Sequence, residues 1–81
     1  MYQITERDQR ILFRIKSADK ISKLTMMKSE TIEALERAEI KVVEDLYRAS
    51  IWKINGISED EKDKLDEICR FLLSVSNNQN G

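Results

Sequence analysis

Ionisable side chains dominate the chemistry open to this sequence, and their types narrow it at once. There are 15 Asp and Glu, 14 Lys and Arg, one Cys and no His. General acid–base work near neutral pH falls most often to His, and a nucleophile needs an activating base beside it. No His, Gly-rich phosphate loop or nucleophile motif around Ser or Cys is present. The carboxylates follow surface-type patterns with no pocket to tune them, so no enzyme is expected. Cys69 stands alone, which rules out a disulfide framework, and the lack of His rules out a classical zinc site. No cofactor and no metal are expected. What remains is binding through charge.

Two charged sets stand out. Glu30, Glu33, Glu36 and Glu39 recur at every third residue, and Glu59, Asp60 and Glu61 follow the turn-like stretch Asn55-Gly56-Ile57-Ser58. That turn has the look of a helix-hairpin-helix, which holds a DNA phosphate on the amides opening its second helix. Three carboxylates are poor company for a phosphate. Ser58 and Glu61 instead read as a capping box, with the serine accepting from the amide three residues on and the glutamate reaching back. Glu59 and Asp60 in the same turn suit the helix dipole. The second set is basic: Arg7, Arg10, Arg14 and Lys16. Residues 1–23 carry net +3 and residues 24–81 net −4, so the chain is polarised. Solvated helix faces are the plain reading of both sets. The functional reading is an acidic surface for a basic protein, with the basic residues touching nucleic acid or an acidic partner.

Only helical periods are available to position these residues. At 100° per residue, Ile4, Ile11, Leu12 and Ile15 share one face of a basic N-terminal helix over 4–16, with Arg7, Arg10 and Arg14 beside it and Thr5 as cap. Ile21 and Leu24 anchor a connecting turn. A second helix starts at a Ser29 cap and turns Ile32, Leu35 and Ala38 inward. A third, short helix uses Val42 or Val43, Leu46 and Tyr47, and "IWKI" makes a turn of helix at most. The last and longest helix carries Leu65, Ile68, Leu72 and Val75 on one stripe. Trp52, Met26 and Met27 are expected to pack, and Cys69 to be a small buried hydrophobe. Tyr2 and Phe13 fall off the main stripe and are candidates for an exposed partner or dimer patch. Eighty-one residues with two Gly, no Pro and no 18-residue apolar run imply one small all-α domain over 1–75 and a disordered polar tail over 76–81. The expectation is a compact bundle of four to five short helices, cytoplasmic and not in a membrane.

"AEIKVVEDLYRAS", then "INGI" and "KLDEICRFL", resembles the C-terminal domain of the bacterial RNA polymerase alpha subunit. That family is a five-helix bundle with helix-hairpin-helix elements. Its pattern is a helix ending in Arg-Ala-Gly-Ile, then Glu-Asp-Leu, a Leu-Gly hairpin and Leu-x-Glu-Ile. The likeness spans about residues 24–73, with a helix-hairpin-helix-like region over 24–75, degenerate between its two matching ends. In that family an arginine in the first turn of the helix before the Arg-Ala-Gly-Ile enters the DNA minor groove, and a basic hairpin supports it. Here Glu30 falls at the arginine position, Glu33 and Glu36 at backbone-contacting positions, and Glu59 and Asp60 at the hairpin. Every DNA-facing position that transfers is acidic, and carboxylates repel phosphates.

"ISKLTMMKSETIEALERAEI" is also similar to a helix-turn-helix, with its turn at Met26-Met27-Lys28 and a recognition helix from Ser29. The resemblances together imply a small non-enzymatic binding module. Its partner would be a protein of the transcription or DNA-processing machinery, held on Glu30, Glu33, Glu36, Glu59 and Asp60. The alternative is weak nucleic-acid binding through Arg7, Arg10, Arg14 and Lys16. A homo-oligomeric structural domain is a third reading.

Overall fold

The computed structural model describes residues 3–79. Four α-helices run in order: α1 Glu6–Leu12, α2 Ser29–Arg37, α3 Val43–Arg48 and α4 Glu59–Gln79. Two three-residue 3-10 turns, Ile21–Lys23 and Ile51–Lys53, complete the set. The protein is all-α. Among the described residues the only extended pairing is a single bridge, Lys20 with Val42.

Thr5 caps α1 as its sequence implies, its hydroxyl accepting from the Asp8 amide at 3.1 Å. The helix stops at Leu12, four residues short of the expected end. Asp19 explains this. Its carboxylate accepts from the Lys16 amide at 2.9 Å, while its own amide donates to the Lys16 carbonyl. A local turn thus takes the groups a longer helix would use. That backbone hydrogen bond is also the main reason the Asp19 carboxyl is held below its ordinary range, with Lys23 and Lys16 adding to it. The Ser17 and Asp19 carbonyls then accept from the Glu44 and Val43 amides, pinning the segment to the opening of α3.

In α2 the buried stripe is Thr31, Ala34 and Leu35, rather than Ile32, Leu35 and Ala38. Ile32 is half-buried. Ala38 is exposed because it ends the helix, and the chain turns left-handed at Glu39, whose φ is +66°. The Ile40 amide donates to the Leu35 carbonyl at 2.9 Å and the Glu39 amide to Glu36 at 3.0 Å. This is a Schellman close with Leu35 and Ile40 both buried, and its left-handed position ordinarily takes glycine. Glu39→Gly should therefore raise the unfolding free energy by roughly 0.5–1 kcal/mol, and Glu39→Ala should not. Urea denaturation curves of the two variants check this.

The core gathers Leu12, Ile21, Leu24, Leu35, Val43, Leu46, Leu65 and Ile68, all at 1% exposure or less. Leu72, Cys69 and Met27 join it, and Tyr47, Met26 and Val75 are half-buried. Trp52 does not pack: it is 54% exposed. The stretch read as a helix-turn-helix lacks its first helix, since from Ile21 to Met26 it holds a 3-10 turn, Ile21–Lys23, and no α-helix. That motif is not formed. At the other end, α4 continues through residues 76–79, which the sequence pattern assigned to a polar tail. No described helix is long and apolar enough to cross a membrane.

Candidate functional site

The decisive residue is Glu61. The serine half of the expected capping box forms, with the Glu61 amide donating to the Ser58 hydroxyl at 3.3 Å. The glutamate half does not. Glu61 turns away from Ser58 and is 6% exposed, one carboxylate oxygen accepting from the Lys28 amide at 2.9 Å and from the Thr31 hydroxyl at 2.8 Å. Lys28, not Ser29, is the N-cap of α2 and has no side-chain acceptor of its own. A carboxylate from α4 therefore caps α2, at the end where the helix dipole favours negative charge. The Lys64 ammonium adds a second tie between the two segments, donating to the Met26 carbonyl at 2.6 Å.

This clamp sets the first turns of α2 and α4 against one another. Glu30 rides on the first, Glu59 and Asp60 on the second, and all three are exposed. Glu33 and Glu36 continue outward along α2 and line a shallow depression with Arg37. Among the described residues none of these five carboxylates is in an ion pair. Unpaired surface charge of one sign at the apposed ends of two helices projects a field rather than neutralising itself.

The loop before α4 supports this end. Gly56 has φ +89°, and a side chain added there would meet the Ala34 methyl at 3.5 Å, so the turn seats directly against α2. Just upstream, the Trp52 carbonyl accepts from the Lys62 ammonium at 3.0 Å, which ties the 3-10 turn to α4, and the indole is exposed to solvent. Residue type and spacing carry no sign of this. A tryptophan reads as core until the structure shows that Ile51, not Trp52, is the residue its turn buries.

No known family profile, curated protein or solved structure matches the chain.

The four basic candidates separate. Arg7, Arg10 and Arg14 line one groove with Ile11 and Ile15, and Lys23 joins them from the 3-10 turn. Lys16 instead faces a different cleft, beside Phe13, Tyr47 and Leu72. Phe13 is 59% exposed and meets Phe71 edge-on, with ring centroids 5.4 Å apart; Tyr2 lies outside the described residues. The Cys69 thiol is pushed up to about 11, chiefly by burial and further by the Asp66 carboxylate. It stays protonated at neutral pH, which makes it a poor nucleophile.

Proposed function

We propose that the protein is a small non-enzymatic binding module that docks a basic protein partner on the face formed by Glu30, Glu33, Glu36, Glu59 and Asp60. The observation that carries this reading is the clamp at Glu61. It ties together the openings of two helices whose acidic stretches, at Glu30 and Glu59, are 29 residues apart in sequence, and the 3-10 turn that carries the exposed Trp52 is bonded to the second of them. Tryptophan is a frequent hot spot of protein interfaces and offers its ring face to Lys and Arg. The partner we infer belongs to the transcription or DNA-processing machinery of the cytoplasm, because of the likeness to the polymerase alpha C-terminal domain. One backbone feature supports that likeness. Glu39, in the left-handed conformation, stands where the family pattern Arg-Ala-Gly-Ile carries glycine. A degenerate helix-hairpin-helix-like region over 24–75, with its DNA-facing positions turned acidic, is the form this reading takes.

Charge reversal separates a protein-binding face from a DNA-binding one. Wild type should bind short duplex DNA only weakly at about 150 mM salt, with a Kd above about 10 µM by fluorescence anisotropy. The variant Glu30→Arg, Glu33→Lys, Glu59→Lys should gain roughly tenfold or more in DNA affinity. It should also lose any protein that wild type captures from the native host. Trp52 is the one tryptophan of the chain, so its emission reports directly on whether a captured partner covers this face. Sub-micromolar, sequence-selective DNA binding by wild type would overturn the reading.

A further inference from the structure

The groove between α1 and the 3-10 turn Ile21–Lys23 has a volume of about 500 Å³ and is built differently from a solvated charged face. Its floor is apolar: Ile11 and Ile15, four residues apart and both half-buried. Its rim is cationic. Two of the rim cations are already engaged, Arg10 with Glu6 at 3.0 Å and Lys23 with Asp19 at 3.4 Å. The guanidiniums of Arg7 and Arg14 have no carboxylate in ion-pair range among the described residues. They are seven residues apart in sequence, Arg7 on α1 and Arg14 in the turn that follows it, and they line the groove with the two isoleucines.

We propose that this groove is a second docking site, for an acidic amphipathic peptide segment of a protein partner. Its carboxylates would meet Arg7 and Arg14 while an aliphatic side chain between them fills the floor over Ile11 and Ile15. Complementarity of charge and of apolar pattern both select this occupant. Arginine's planar fork suits carboxylates in two-point contacts, and the isoleucines reward burial of Leu or Ile. A nucleic acid fits less well. Single strands need aromatic platforms for their bases, and among the described residues no aromatic side chain lines this groove. A phosphate track is also opposed by Glu6 and Asp19, which hold two of the cations on the same rim. The chain's own acidic helix is a poorer match, because Glu30, Glu33 and Glu36 flank no exposed aliphatic residue. This site is independent of the acidic face, so either can fail without the other.

The test uses the full chain and a fluorescein-labelled helical peptide with Glu at its first and eighth positions and Leu at its fourth and fifth. Anisotropy titrations at about 150 mM salt should show saturable binding. Exchanging the two Glu for Gln, or the two Leu for Ser, should each weaken it by about tenfold, as should the double variant Arg7→Gln, Arg14→Gln. Both arginines are exposed, so the variant should keep the wild-type circular dichroism spectrum. Arg48→Gln, an exposed cation on α3, should leave binding within about twofold. Three results would each overturn the proposal. One is tighter binding of a labelled oligothymidine or duplex DNA than of the peptide. Another is peptide affinity indifferent to Arg7 and Arg14. The third is a wild-type dimer in sedimentation equilibrium that the double variant dissociates, which would assign the groove to a second copy of this chain.

Discussion

Leu35→Ala and Ile68→Ala should each lower the unfolding free energy by roughly 2–5 kcal/mol. Both side chains are fully buried, one on α2 and one on α4, the two helices whose first turns carry Glu30, Glu59 and Asp60. Each truncation removes apolar contact and leaves a void that close-packed neighbours fill only in part. A domain of 81 residues has about 4–12 kcal/mol in all, so either change consumes a large share. In a thermal melt followed by far-UV circular dichroism, the midpoint should fall by roughly 10–30 °C. Leu73→Ala on the outer side of α4 is the internal comparison. At 44% exposure it should move stability by no more than about 0.5–1 kcal/mol. Wild-type melting of both core variants, or a Leu73 effect as large as theirs, would mean that α2 and α4 do not pack as described.

Those core positions were legible because helical period reports directly on which face is apolar. Leu65, Ile68 and Leu72 recur at i, i+3 and i+7 and are all buried, and Thr5 lies where a capping residue should. The illegible features share a different physics: each depends on a polar group choosing a partner that periodicity cannot name. Glu61 had a local partner available in the Ser58 amide and took two others, 33 and 30 residues away. Asp19 ended α1 by capturing the Lys16 amide, in a stretch whose apolar spacing continued to Ile15. Trp52 and Ile51 are adjacent and both apolar, and only the path of a three-residue 3-10 turn decides which one faces inward. The candidate sites inherited the same limits. Spacing along α2 and α4 names the acidic residues but not the Glu61 clamp that joins the openings of the two helices. Proximity in sequence groups Lys16 with three arginines it does not accompany and carries no sign of Lys23, which joins them only through the fold.

Glu61→Ala should cost roughly 2–4 kcal/mol, more than any other change at the surface end of the molecule. Its carboxylate is the acceptor for two donors, the Lys28 amide and a Thr31 hydroxyl on a residue only 2% exposed. Hydrogen bonds to a charged group contribute about 1.5–3 kcal/mol each, and orphaning a buried donor adds a desolvation penalty. Loss of the charge at the start of α2 adds a further fraction of a kcal/mol. Relief from burying a carboxylate works in the opposite direction, which keeps the total below the sum of these terms. Ser58→Ala removes only the local cap of α4 and should cost less, about 0.5–2 kcal/mol. Glu61→Gln, which keeps the shape and one acceptor oxygen, should fall between wild type and Glu61→Ala. A double-mutant cycle with Thr31→Val measures the long-range bond itself, and a coupling of at least about 0.5 kcal/mol is expected from urea denaturation. If that coupling were zero and Glu61→Ala no worse than Ser58→Ala, Glu61 would be capping its own helix. The ends of α2 and α4 would then have nothing to hold their carboxylates on one face. If the coupling is present, Glu61→Ala should also weaken partner binding while leaving Glu30, Glu59 and Asp60 chemically untouched, because what it removes is their common position.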